Sequence, residues 1–239
     1  MSKTLIPFIT CGDPDLETTG KLVKEAVANG ADIIQLGIPF SDPTAEGPII
    51  EGSYIRALSG GVTTDTIFDF VKELRKEVTV PIVFMTYANV VFSYGTEAFI
   101  STCHDLEVSG LIIPDIPFEE KEEFGPLCKK YGVSLISLIA PASKERIAKI
   151  AKEAEGFVYI VCNSDTKELT SLVSVIKENT NIPCIMGSGI STPEQAKKMA
   201  ALTDGVMIPA ALMKMVEQEG KEAVHSAGSY IREMKEAIG

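Results

Sequence analysis

Eight short apolar runs, at 4–10, 33–37, 82–85, 111–113, 134–139, 157–162, 184–187 and 205–208, punctuate the chain from end to end. Most are continuously apolar rather than alternating. That pattern belongs to strands covered on both faces, and so to a parallel sheet. Parallel neighbours need long crossover connections, which helices usually supply. Charged amphipathic stretches of helical length lie between the runs, for example at 16–29, 64–77, 119–131, 144–153 and 193–202. Helix-start signals agree with them. Thr63 and Thr64 precede one helix, Ser143-Lys144-Glu145 opens a second, and Ser191-Thr192-Pro193-Glu194 opens a third with proline in its first turn.

Strand–helix units repeated eight times in 239 residues predict the α/β class and a single-domain (β/α)8 TIM barrel over residues 1–239. An open doubly wound sheet is the rival, and it usually carries a glycine-rich phosphate loop after its first strand. Here that strand runs into Cys11-Gly12-Asp13-Pro14, which reads as a turn. The last helix, over 220–237, is expected to be the outer helix of the eighth unit.

Composition narrows the function. The 22 Lys+Arg against 33 Asp+Glu leave a net charge of −11, which repels nucleic-acid backbones and anionic lipid. No apolar run reaches the ~18 residues of a membrane span, and the N-terminus enters the first strand with no signal peptide expected. The five cysteines, Cys11, Cys103, Cys128, Cys162 and Cys184, are odd in number, widely spaced and without a C-x-x-C pair. They predict buried, reduced thiols and a cytoplasmic protein. Two distant histidines, His104 and His225, make no metal site and are expected on the surface.

In such a barrel the chemistry gathers at the C-terminal ends of the strands. The segment after the second strand is the most telling: Gln35-Leu36-Gly37-Ile38-Pro39-Phe40-Ser41-Asp42-Pro43-Thr44-Ala45-Glu46-Gly47-Pro48. Its prolines fix φ, and it carries carboxylates at the mouth, so it reads as a rigid site loop.

With these residues the chain resembles the alpha chain of tryptophan synthase over essentially its whole length. The Pro39-Phe40-Ser41-Asp42-Pro43 and Pro114-Asp115-Ile116-Pro117 stretches are specific to that family. Pro7-Phe8, Gly12-Asp13-Pro14, Met85-Thr86-Tyr87-Ala88-Asn89, Gly156-Phe157-Val158-Tyr159 and Gly189-Ile190-Ser191 fit it as well. The resemblance implies a TIM barrel that cleaves indole-3-glycerol phosphate to indole and glyceraldehyde 3-phosphate, a retro-aldol step with no cofactor. It also implies a pyridoxal-phosphate-dependent beta chain as partner. An acid must protonate indole C3, a base must take the glycerol hydroxyl proton, and a carboxylate must steady charge on the ring nitrogen. A nest of backbone N–H groups must hold the phosphate. Carried over residue by residue, the expected catalytic positions are Glu46, Gln35 and Tyr159. The expected substrate-binding positions are Phe8, Tyr87, Asp115, Lys167, Gly187 and Gly189. Asp42, Pro43 and Asn89 are expected to face the partner.

Several of these positions depart from the family's pattern. Gln35 stands where the family has Glu, and an amide cannot shuttle a proton. Glu46 stands where it has Asp, one methylene longer. Pro209-Ala210 replaces a Gly-Ser pair of the phosphate nest, and Asp165-Thr166-Lys167-Glu168 replaces a Gly-Val-Thr-Gly lid. Ser188 replaces a usual Phe. The scaffold therefore predicts the family's barrel with weak or absent lyase activity. Three readings stay open: an enzyme with a rearranged site run by Glu46, a catalytically silent module that docks on a beta chain, and a protein for a different, non-phosphorylated ligand.

Overall fold

In a computed structural model, which describes residues 3–162 and 166–239, the strands are all parallel and wind into a nearly closed barrel. In chain order the first elements are β1 (Thr4–Thr10), α1 (Leu16–Ala28), β2 (Ile34–Gly37), α2 (Pro48–Ser59), α3 (Thr64–Leu74), β3 (Ile82–Met85), α4 (Ala88–Tyr94) and α5 (Thr96–Asp105). β4 (Val108–Ile112) follows, then a 3-10 turn (Phe118–Glu123), α6 (Gly125–Tyr131), β5 (Ser134–Leu135), β6 (Ser137–Ile139), α7 (Lys144–Lys152) and β7 (Val158–Ile160). The chain closes with α8 (Thr166–Asn179), β8 (Cys184–Met186), α9 (Pro193–Ala200), β9 (Gly205–Ile208), α10 (Ala211–Glu219) and α11 (Ala223–Ile238). The strand order is β5-β4-β3-β2-β1-β9-β8-β7-β6.

Among the described residues nine strands appear where eight were expected, because the run 134–139 breaks at Ile136. Leu135 pairs with Leu111 of β4, whereas Ser137 pairs with Val158 of β7. The Ile136 N–H still reaches the Leu111 carbonyl at 2.9 Å, so one barrel strand changes partners midway. The helix expected over 119–131 is also divided. Pro126 has no N–H to give, and Phe124 leaves helical geometry at φ −121°, so a 3-10 turn precedes the short α6. The last helix begins at Ala223, after α10 ends at Gly220 with φ +59°.

The anticipated caps are in place. Thr63 and Thr66 form a capping box on α3, Ser143 accepts from the Arg146 N–H on α7, and Thr192 and Gln195 box the start of α9. Strand interiors are buried on both faces, as in Ile82–Met85 and Gly205–Ile208. All five cysteines are free and buried, and burial raises every thiol above its ordinary range. His104 and His225 are exposed. Among the described residues no helix is long and apolar enough to cross a membrane, and no cluster of metal-ligating side chains occurs.

β1 and β9 meet where Thr4 pairs with Gly205, and there the backbones are close. A Cβ on Gly205 would sit 2.3 Å from the Thr4 carbonyl oxygen, a backbone atom that cannot swing away. Gly205→Ala is therefore expected to lower stability by about 1–3 kcal/mol in a urea titration. Gly125→Ala, whose Cβ would meet nothing within 4 Å, should stay within about 0.5 kcal/mol of wild type.

Candidate active site

The β1–β2 register brings Phe8 beside Gln35 and Thr10 beside Gly37. Phe8 and Gln35 are each 1 % exposed. The Gln35 Nε2 donates to the Met85 Sδ at 2.8 Å, across the strand pair β2–β3. Its Oε1 is buried and has no partner. Gly37 has to be glycine, because a Cβ there would lie 2.4 Å from the Phe8 Cζ and 3.2 Å from the Tyr54 hydroxyl. The missing side chain thus makes room for one ring from β1 and one phenol from α2.

Glu46 comes from the loop after β2. One of its carboxyl oxygens is buried without a partner. Burial pushes its pKa up to about 7; a hydrogen bond from Tyr87 works against that rise, and Glu51 adds to it. The Tyr87 hydroxyl also accepts from the Ala45 N–H at 3.0 Å, so it ties the loop in place while serving the carboxyl. The Tyr87 ring stacks on Phe40 with centroids 5.3 Å apart. Burial, with Glu46 nearby, raises the Tyr87 phenol to about 12, and the same causes raise Tyr159 further. Three phenols, those of Tyr54, Tyr87 and Tyr159, therefore lie within the electrostatic reach of one carboxyl.

On the opposite wall, the buried Tyr159 of β7 donates to the Gly187 carbonyl at 3.3 Å. A Cβ on Gly187 would fall 1.8 Å from the Tyr159 ring, so the pair is built as one unit. Gly189 is exposed at φ +70°, a backbone conformation that favours glycine. Ser188 between them donates to the Cys162 carbonyl. The α10 N-terminus has Ala210 as its cap, which offers no side-chain bond, and Pro209 before it has no N–H.

The expected site residues divide accordingly. Phe8 and Gln35 meet in the barrel interior, Glu46 and Tyr87 meet at its rim, and Glu46 reaches Tyr159 electrostatically. The Asp115 carboxylate accepts from the Ala88 N–H at 3.1 and 3.3 Å, at the first turn of α4. Lys167 is exposed on the first turn of α8, lining an outer groove with Lys144, Thr170 and Ser174. Asp165, the first residue of the altered lid, lies outside the described residues. Asp42 and Asn89 are exposed; Asn89 lines a groove of about 430 Å³ with Phe40, Leu58, Val90 and Tyr94.

Sequence reasoning missed Tyr54. The burial of Ile50, Ser53, Tyr54 and Ala57 along one face of α2 follows helical spacing. A tyrosine on such a face needs a partner for its hydroxyl, which is the signal that was available. A cavity of about 500 Å³ outside the barrel, between the 3-10 turn, α6 and α7, has no orphaned buried polar atom among the described residues. Lys121 and Glu153 pair across it.

The family profile described as tryptophan synthase alpha chain matches residues 1–239. The tryptophan synthase alpha chain of Lacticaseibacillus casei is 47% identical over 244 residues, covering 99% of this chain and 92% of that protein. That of Alkaliphilus metalliredigens is 40% identical over 244 residues, covering 98% and 92%. Tryptophan synthase subunit alpha from Legionella pneumophila superposes with a TM-score of 0.92 at 35% identity, covering 99% of this chain and 92% of that one. A chain of the tryptophan synthase complex from Pyrococcus furiosus gives 0.90 at 32% identity, covering 98% and 99%.

The Asp115 contact can be tested by itself. Asp115→Ala should cost about 1 kcal/mol of stability and speed exchange of the Ala88 amide proton, because a helix-start N–H loses its acceptor. Asp115→Asn keeps an acceptor oxygen and should lose less.

Proposed function

This chain belongs to the family of tryptophan synthase alpha chains, and on that footing we propose that it is a slow carbon–carbon lyase of the family's type. Its substrate is indole-3-glycerol phosphate, and its products are indole and glyceraldehyde 3-phosphate. The observation that carries this reading is Glu46: a partnerless buried oxygen on a carboxyl whose pKa stands at about 7. Such a group holds both protonation states near neutrality, which is what a general acid and base needs.

The step balances without outside help. Protonated Glu46 gives its hydrogen to indole C3. The Glu46 carboxylate so formed then takes the hydroxyl proton from the first glycerol carbon, whose oxygen becomes the aldehyde carbonyl. The carbon–carbon bond breaks, and its electron pair returns to the indole ring. The proton spent at C3 equals the one released by the hydroxyl, so no cofactor enters.

Gln35 cannot carry a proton, and its orphaned Oε1 is suited to accept the indole ring N–H. Phe8 and Tyr159 supply apolar walls for the ring, and Tyr87 keeps Glu46 oriented. Low turnover follows from having one tunable carboxyl where the family's pattern has two. Weak phosphate binding follows from Pro209 and Ala210, with Gly187 and Gly189 left as backbone parts of the cup. Lys167, on the first turn of α8, is the lid's candidate for compensating positive charge. Residues 1–239 are read as one barrel domain, and the five buried free thiols support a cytoplasmic setting.

A second reading has its own support. The groove at Asn89 and Phe40 lies beside exposed Asp42, and Leu58 on its wall is 37% exposed. A tryptophan synthase beta chain, pyridoxal-phosphate-dependent, is the proposed partner for this rim, with Pro43 at its edge. Docking there is compatible with slow catalysis and would also serve a silent module.

Indole release from indole-3-glycerol phosphate, measured with and without a beta chain, separates the readings. Slow turnover is expected, and Glu46→Gln should lower it by roughly 10²-fold or more. The acid form is lost as pH rises through about 7, so the acid-limited rate should fall above that pH and not below it. Turnover unchanged in Glu46→Gln would overturn the assignment. No release under any condition, with binding to a beta chain intact, would leave the silent module.

A further inference from the structure

Tyr54 is fully buried on α2, and its hydroxyl has no hydrogen-bond partner. Only two other side-chain atoms among the described residues share that condition, and they belong to Gln35 and Glu46. Tyr54 lies in the same place. Its oxygen abuts Gly37, two residues along β2 from Gln35, where the Phe8 ring also packs against Gly37. Its neighbour Ser53 is bonded to Thr10 at 2.7 Å and to the Ile50 carbonyl at 2.7 Å, which pins this turn of α2 onto the end of β1. The phenol is thus held firmly in a position where the protein gives it nothing to bond. A phenylalanine would fill the same volume without burying an orphaned hydroxyl. An oxygen kept at a cost in folding, next to two others in the same state, points to a ligand that satisfies it.

We propose that Tyr54 is a substrate-contacting residue that selects ligands bearing a hydroxyl on the side chain of the ring, by donating a hydrogen bond to the oxygen of the carbon that becomes the aldehyde. This rests on the lyase reading above and names the group that recognises the glycerol portion. Burial, with Glu46, Tyr87 and Cys11 close by, holds the phenol well above its ordinary range, so it stays protonated and acts as a donor rather than a base. Negative charge grows on the hydroxyl oxygen as its proton leaves, so a fixed donor there binds the transition state more strongly than the ground state. Glu46 then moves the proton, Gln35 holds the ring N–H, and Tyr54 fixes the glycerol oxygen.

The test pairs two ligands with two proteins. Indole-3-glycerol phosphate carries the hydroxyls, and indole-3-propanol phosphate lacks them. Each is titrated calorimetrically into wild type and Tyr54→Phe, cold enough that indole release during the run is negligible. Tyr54→Phe should weaken indole-3-glycerol phosphate by about five- to tenfold and leave indole-3-propanol phosphate within twofold. Its melting temperature should be equal to wild type or higher, since an orphaned hydroxyl has been removed. Equal losses for both ligands, no loss for either, or a lowered melting temperature would each overturn the proposal while leaving the lyase reading standing. The selective loss in a protein that releases no indole would sustain Tyr54 and overturn the lyase. A wild type that binds neither ligand would overturn both.

Discussion

A parallel sheet must cover both of its faces, and the way this chain does so determines where its chemistry can be. The outer face is covered by crossover helices and the inner face by the barrel's own side chains. Polar groups are excluded from that interior unless they are paired, because an unpaired buried polar atom costs about 1–3 kcal/mol. The rule holds over most of the molecule: buried Asp13 takes a bidentate bond from Arg56, Thr10 pairs with Ser53, and Thr203 bonds to Met199 and Gly205. It lapses at one end of the barrel, at Gln35, Glu46 and Tyr54. Unsatisfied atoms gathered where the fold places its loops are the physical mark of the site.

The electrostatics of that mouth follow from the same exclusion of water. Glu46 is raised because burial penalises its charge, and the Tyr87 hydroxyl only partly offsets this. The phenols around it are raised for the same reason and remain neutral donors. A titratable carboxyl set among neutral phenols, raised first by burial and a little further by Glu51, differs from two carboxyls in direct contact that share one proton. The amide at Gln35 keeps the shape of a carboxyl, with its nitrogen held by Met85, and gives up the proton. On the proposed reading, the acid–base work falls to one residue, Glu46.

Much of this was legible in the sequence, and the exceptions have identifiable causes. Continuous apolar runs marked β1, β3 and β9 to the residue, because a strand buried on both faces has no alternation to blur its ends. Capping residues marked the starts of α3, α7 and α9. The break at Ile136 was not legible, since a strand that changes partners keeps the same apolar pattern on both sides. The bond from the Ala88 N–H to Asp115 was not legible, because a carboxylate after a strand carries no sign of the distant N–H it caps; only the fold brings Ala88 to it. Tyr54 went unread because it sits within a helix, and attention to strand ends passes over a helix that dips into the mouth. Glu46 and Gln35 were legible as residue types, and with them the inability of an amide at 35 to move a proton, but the raised pKa of Glu46 depends on burial that only the folded chain creates.

The central claim is that burial at the barrel mouth leaves Glu46 as the group that exchanges protons near neutrality. The most direct measurement is a 13C NMR titration of the Glu46 side-chain carboxyl, assigned by its loss in Glu46→Gln. The account predicts a midpoint near 7 in the ligand-free protein. A midpoint below about 5, in the range of an ordinary solvated glutamate, would contradict it.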